Sequence, residues 1–153
     1  MAEATLSGAI HPILENDYAS EWMGIQVLAL GEGHATIRMT LRQEMLNGFG
    51  MAHGGMIFAF ADSAFALACN PATPAPGEEN NITVAAGVDI NFLKPAYRGQ
   101  VVTAVANRRS TVGRSGLYDI QIFAADPIQQ PAAGTPGELI AEFRGRSRTI
   151  PKK

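Results

Sequence analysis

The chain is expected to fold as one α+β domain, residues 1–153, with a curled antiparallel sheet of about six strands around one long central helix and a short helix near the N-terminus. The segment 54–70 is apolar on nearly every side, period-two alternation recurs before and after it, and Gly or Pro turns separate the alternating segments. A length of 153 residues with 46% hydrophobic and 17% charged side chains suits a single buried core.

Residues 11–23 carry Ile13, Leu14, Tyr18 and Trp22 at helix-compatible spacing, with Pro12 suited to a first turn and Gly24 to a stop. Residues 25–30 and 35–41 read as strands around Gly31-Glu32-Gly33; in the second, Ala35, Ile37, Met39 and Leu41 alternate with Thr36, Arg38 and Thr40. Residues 43–52 form a loop with Gly48 and Gly50, and the helix 54–70 stops at Pro71, Pro74 and Pro76. Four further strands fit 83–93, 101–110, 116–126 and 138–150, with a proline-rich connection over 127–137. Val88, Ile90 and Phe92 oppose Asp89 and Asn91, while Leu139, Ala141 and Phe143 oppose Glu142 and Arg144. Met56, Ile57, Phe58, Phe60, Phe65 and Leu67 cover every side of the long helix, so it must be enclosed. Its small residues, Ala59, Ala61, Ser63, Ala64, Ala66 and Ala68, leave room for another backbone to come close.

Composition excludes several classes. One cysteine, Cys69, permits no intrachain disulfide, and the absence of a Cys/His cluster at ligand spacing argues against a metal site. The apolar run 54–69 is interrupted by Asp62 and falls short of the roughly 20 residues a bilayer needs. With no basic leader followed by an apolar run, a cytoplasmic protein without a membrane partner is expected. Residues 1–80 carry nine Asp/Glu and two Lys/Arg, whereas residues 81–153 carry five and ten. Such a skew suits either a solvated strand face or a small polyanion, such as the phosphates of a nucleotide carrier, held by Lys94, Arg98, Arg108, Arg109 or Arg114. Long nucleic acid is disfavoured, because the basic residues are scattered and few aromatics lie among them.

Asp62 is the informative residue. Its helical neighbours are Phe58, Ala59, Phe65 and Ala66, so no local cation pairs with it, and desolvation would raise its pKa. A cap for a shorter helix starting at Ser63, or a satisfied core carboxylate, are the structural alternatives. At the start of the same helix stands His53-Gly54-Gly55. The first N–H groups of a helix lack intrahelical acceptors and lie at the positive end of its dipole, and glycine gives a ligand oxygen access to them. That arrangement suits polarising a thioester carbonyl and holding the oxyanion of a tetrahedral intermediate. The eight residues from Gly54 to Asp62 amount to about 12 Å of helix rise. An attacking group and an oxyanion donor each need to be about 3 Å from one reacting centre. One helix therefore cannot supply both, and a second copy, antiparallel across a twofold axis, can. His53 is read as orienting that turn; Asn47 either orients water or substrate or makes the turn at Asn47-Gly48. His11, His34, Met51 and Cys69 are read as structural.

Met45-Leu46-Asn47-Gly48, His53-Gly54-Gly55, Ala61-Asp62-Ser63-Ala64-Phe65-Ala66 and Ala68-Cys69-Asn70 resemble the phenylacetate-pathway (PaaI-type) thioesterases of the hotdog superfamily. Phe92-Leu93-Lys94-Pro95 and Gly116-Leu117-Tyr118-Asp119-Ile120 fit the same pattern, and the resemblance runs from about Ile10 to Thr149. It implies a hotdog fold, a homo-oligomer (a dimer or a pair of dimers) and hydrolysis of aryl- or arylacetyl-CoA to the acid and CoA. It carries the acid or nucleophile role onto Asp62, carbonyl polarisation onto Gly54, and supporting roles onto Asn47 and His53. Some related enzymes place Ser or Thr on the first strand after the helix, where this chain has Ala85 and Ala86.

The resulting expectation is an acyl-CoA thioesterase with no cofactor beyond the CoA of its substrate. Asp62, Gly54, Asn47 and His53 form the catalytic set, and Gly55 with the five basic residues forms the substrate-binding set. Two alternatives differ in kind: a hydratase acting on enoyl thioesters, with His53 as acid/base, and a non-catalytic acyl-CoA-binding protein.

Overall fold

The computed structural model describes residues 7–127 and 136–153. Most of the proline-rich connection expected over 127–137 thus lies outside the described residues. The elements are β1 (Ser7–Gly8), α1 (Tyr18–Met23), β2 (Gln26–Gly31), β3 (His34–Thr40), α2 (Gly54–Cys69), β4 (Asn81–Phe92), β5 (Val101–Val112), β6 (Ser115–Ala125) and β7 (Glu138–Pro151). The strands form one sheet in the order β1-β2-β3-β5-β6-β7-β4, antiparallel throughout except for the two-residue β1, which pairs parallel with β2. Six long antiparallel strands and one long helix match the expected fold class; β1 was not anticipated.

Each of the six long strands touches α2, so the sheet does wrap the helix. Its inner face carries Val27, Ile37, Met39, Val102, Ala104, Ile120, Ile122 and Phe143, all buried. The Phe65 ring packs against Tyr118 at 5.4 Å and Phe143 at 5.8 Å. A Cβ at Gly145 would lie 2.7 Å from that ring, so the missing side chain on β7 is the notch that seats the helix.

Two local expectations need correcting. The N-terminal helix is two pieces: a 3₁₀ turn over Pro12–Leu14, then α1. Asp17 separates them by capping α1, its side chain accepting from the Ser20 N–H, and Gly24 ends α1 in the left-handed region. On β7 the expected inward position of Leu139 is lost. The register shifts between Ile122 and Phe123, so Ile140 is buried while Leu139 is only partly covered. The Ile140 carbonyl then accepts from both the Leu93 N–H (2.8 Å) and the Lys94 N–H (3.2 Å), which turns the chain after β4 over the start of α2.

Asn70 joins the far end of α2 to the sheet. Its side chain donates to the Thr83 carbonyl and accepts from the Thr83 N–H, both at 2.9 Å. His11 is buried there, bonded through Nε2 to the Asn70 carbonyl at 2.6 Å, which agrees with its structural reading. Burial, foremost, pushes the Cys69 thiol up to about 12, so it stays protonated and inert. Among the described residues no helix is long and apolar enough to cross a membrane.

Two surfaces stay open. β4 is a sheet edge, hydrogen-bonded to β7 on one side alone, and is partly or fully exposed along its whole length. On α2, Ile57, Phe60, Ala61, Ala64, Phe65, Leu67 and Ala68 are buried, while Gly55, Phe58, Ala59, Asp62 and Ala66 are not. Those five recur at helical spacing and form one stripe.

Candidate active site

The start of α2 is held from three directions. The His53 N–H donates to the Met45 carbonyl at 2.8 Å, the Ala52 N–H donates to the Ala96 carbonyl at 2.8 Å, and Met51 bridges to Tyr97. Asn47 builds the loop before it: its side-chain oxygen accepts from the Phe49 N–H (2.9 Å) and the Met51 N–H (3.2 Å). Of the two roles open for Asn47, the turn is the one its oxygen is engaged in.

The first N–H groups of α2 are not equivalent. Those of Met56 and Ile57 donate to the His53 carbonyl, at 2.9 and 3.2 Å. That of Gly55 donates to His53 Nδ1 at 3.1 Å. Only the Gly54 N–H has no acceptor among the described residues. The expected division of the glycine pair is therefore refined. Gly54 presents the free donor, whereas the Gly55 N–H is used by the cap, where a Cβ would sit 3.2 Å from the imidazole. His53 Nδ1 accepts, so in the neutral ring the proton resides on Nε2.

Gly54 opens onto a mostly apolar cavity of about 320 Å³, lined by Met51, Ile57, Phe92, Leu93, Lys94 and Ile140 among others. The Phe92 ring reaches within 3.3 Å of where a Gly54 Cβ would stand. Phe92 was not anticipated as a site residue; its alternation on β4 marked it as core, yet it is 55% exposed. Lys94 shares this cavity and pairs with Glu138 at 3.2 Å. Arg98 is exposed in the turn just before β5, at the same end of the sheet. The other three candidates lie elsewhere within the chain. Arg108 contacts Glu32 at 3.3 Å and Arg109 contacts Asp119 at 3.4 Å on the distal half of β5, and Arg114 stands in the β5–β6 turn.

Asp62 lies in the open stripe of α2, and none of the described residues hydrogen-bonds its carboxylate or pairs with it. Burial, and after it the neighbouring charge of Asp17, hold its pKa above the usual carboxylate range. The Ser20 hydroxyl, fully buried, links Asp17 to Ser63, the residue beside Asp62. Neither Asp17 nor Ser20 was singled out from the sequence; the capping pattern Asp17-Tyr18-Ala19-Ser20 was the available signal. Ala85 and Ala86 are exposed on the β4 edge and offer no hydroxyl. Among the described residues no group of three or more His, Cys, Asp or Glu is placed to hold a metal ion.

A free N–H at a helix start, an apolar cavity beside it and an unpaired carboxylate on the same helix suit acyl transfer to water. The comparisons agree. A thioesterase superfamily profile matches residues 49–130. The acyl-coenzyme A thioesterase PaaI of Escherichia coli is 36% identical over 140 residues, spanning 92% of this chain and 88% of that protein. The structure of the E. coli PaaI protein from the phenylacetic acid degradation operon matches with a TM-score of 0.76 and 34% identity, covering 93% of this chain and 91% of that one. A mutant of the phenylacetic acid degradation protein PaaI from Thermus thermophilus matches with a TM-score of 0.71 and 30% identity, over 86% of this chain and 98% of that one. The chain therefore belongs to the thioesterase superfamily, on the hotdog fold, and is a thioester hydrolase.

Proposed function

We propose that the protein hydrolyses acyl-CoA thioesters, with aryl- or arylacetyl-CoA such as phenylacetyl-CoA as the substrate class, at sites shared between two copies of the chain. The observation that carries this reading is the single free N–H at the start of α2, that of Gly54, opening onto an apolar cavity. A thioester oxygen placed there accepts from Gly54 and gains from the helix dipole as negative charge develops. Asp62 either attacks the carbonyl carbon or takes the proton of the water that attacks it. In either case the carbonyl oxygen becomes the oxyanion held at Gly54, and the carbon–sulfur bond breaks to release CoA.

Gly54 and Asp62 of one chain stand about 12 Å apart along the helix. The open stripe on α2 and the edge of β4 support an antiparallel homodimer in which Gly54 of each copy faces Asp62 of the other. Phe58 lies midway between them, and its ring turns onto Phe143 at 5.5 Å, leaving Gly55, Ala59 and Ala66 as the small residues across which helices can approach. A pair of such dimers is the proposed larger assembly.

A panel of acyl-CoA substrates followed by thiol release tests the activity. Release fastest with arylacetyl-CoA supports the proposed class, and no release from any acyl-CoA refutes the function. The CoA end is proposed to meet Lys94 and Arg98, the basic candidates at the Gly54 end. Lys94→Ala and Arg98→Ala are expected to raise KM about three- to tenfold with little change in kcat, because they remove binding common to ground and transition states. With pantetheine thioesters, which lack those phosphates, the same substitutions are expected to change nothing. Equal effects on both substrates would refute the phosphate contact, and no effect on either would leave these charges as solvated surface.

A further inference from the structure

The least explained group near the site is Asp17, outside the helix that carries the chemistry. Its Oδ1 accepts from the Ser20 N–H at 3.0 Å and its Oδ2 from the Ser20 hydroxyl at 2.7 Å. The Ser20 and Ser63 hydroxyl oxygens are 2.8 Å apart. A carboxylate has no hydrogen to give, so Ser20 donates to Asp17 and Ser63 must donate to Ser20. The proton order along the chain is thereby set, and it fastens the cap of α1 to the residue next to Asp62. A cap alone needs no buried link to another helix, since its N–H bond is complete within α1.

From this geometry we infer that Asp17 is a positioning residue for the hydrolysis, a second carboxylate held beside Asp62 by the Ser20 and Ser63 hydroxyls to set the charge environment in which Asp62 reacts. The inference rests on the reading of Asp62 as the reacting carboxylate. Burial and the Asp17 charge both hold Asp62 above the usual carboxylate range, in that order of size. The other titratable groups near this part of α2 are the Cys69 thiol, on the same helix, and the Tyr118 phenol on β6; both are pushed up, mainly by burial. No cation contributes to the balance at Asp62. A more basic carboxylate is the stronger base or nucleophile once its proton has left, so a fixed neighbouring charge favours turnover at neutral pH.

The test is the pH profile of kcat/KM for Asp17→Asn, Asp17→Ser and Asp17→Glu. Asn and Ser cap a helix about as well as Asp but carry no charge, and either one serves if the other folds poorly. Both neutral variants are expected to move the acid limb about half a pH unit lower and to lower the plateau about twofold, with Tm close to that of the starting protein. Asp17→Glu, which restores the charge, returns the limb toward its original position. Carbon-13 NMR titration of the Asp62 carboxyl is expected to show the same downward shift in the two neutral variants. Acid limbs of Asp17→Asn and Asp17→Ser that coincide with the starting protein would overturn the inference, leaving Asp17 as a cap. Retained activity in Asp62→Asn would instead overturn the reading of Asp62 as the reacting carboxylate, whatever Asp17 does.

Discussion

Asp62→Asn is expected to fold and assemble normally and to lose about 10²- to 10⁴-fold in kcat, the range usual for removal of a positioned base or nucleophile. Steady-state thiol release from the preferred acyl-CoA measures it, and unchanged turnover would remove Asp62 from the mechanism. Stability should move the other way. Burial and Asp17 raise the folded-state pKa of Asp62 above its unfolded value, so its charged form is disfavoured by folding. Whatever Asp62 contributes to stability is fully present below the unfolded value, about pH 4, and is lost as pH rises through the folded value. The amide has no such loss. Thermal unfolding at pH 8 is therefore expected to give Asp62→Asn a Tm at or above that of the starting protein, with the gap closing toward about pH 4. A mutant clearly less stable at pH 8 would mean that the carboxylate has a structural partner.

Mixing two inactive variants is expected to restore activity if the site is shared between chains. Gly54→Val blocks the free N–H, and Asp62→Asn removes the carboxylate. The added side chain meets the Phe92 ring, which is largely exposed and can give way, and Gly54 does not have a positive φ. In a heterodimer of the two variants one site holds both lesions and the other holds neither. Random exchange makes about half of the dimers mixed, each with one good site of two, so about a quarter of the original activity should return. Activity assayed against mixing time, alongside native mass spectrometry to follow exchange, reads this out. Full exchange with no recovery would assign Gly54 and Asp62 of one site to a single chain.

Much of this fold was legible because its signals are local. The alternation over residues 35–41 sits on the observed β3 within one residue at each end, and Gly54 is the first residue of α2 as expected. Where the reading failed, a specific bond or bulge intervened. The helical pattern over residues 11–23 could not show that Asp17 would spend its side chain on Ser20 and divide the segment. Nor could the alternation around Leu139 reveal a register shift set by its partner strand. The two-residue β1 has no periodicity to detect.

At the site, the sequence marks Gly54 and Asp62 as candidates more readily than it shows what surrounds them. Gly54 and Asp62 stood out because each is costly or unusual where it sits: a glycine at a helix start, a carboxylate among apolar side chains. Which of the two glycine N–H groups is free depends on the His53 ring, and no spacing rule shows that. Likewise, the basic residues after position 81 were one group by composition, and only the direction of β5 separates Arg98 near one end from Arg108, Arg109 and Arg114 toward the other.

The position of β4 also sets an order of events in folding. β3, β5, β6 and β7 pair in sequence order along the sheet, and β5 with β6 is a simple hairpin. β4 must wait: its neighbour is β7, made after β5 and β6, with Asn81 opposite Pro151 and Phe92 opposite Ala141. Loop-closure entropy is spent on that long connection before any of its ladder bonds form. A nascent chain therefore carries α2 and the uncharged run Ile82-Thr83-Val84-Ala85-Ala86-Gly87-Val88 uncovered until β7 emerges. That interval is when the chain is most open to aggregation. Phe92 and the bend beyond it reach Gly54 only when this strand docks, so the cavity beside Gly54 is among the last features to form.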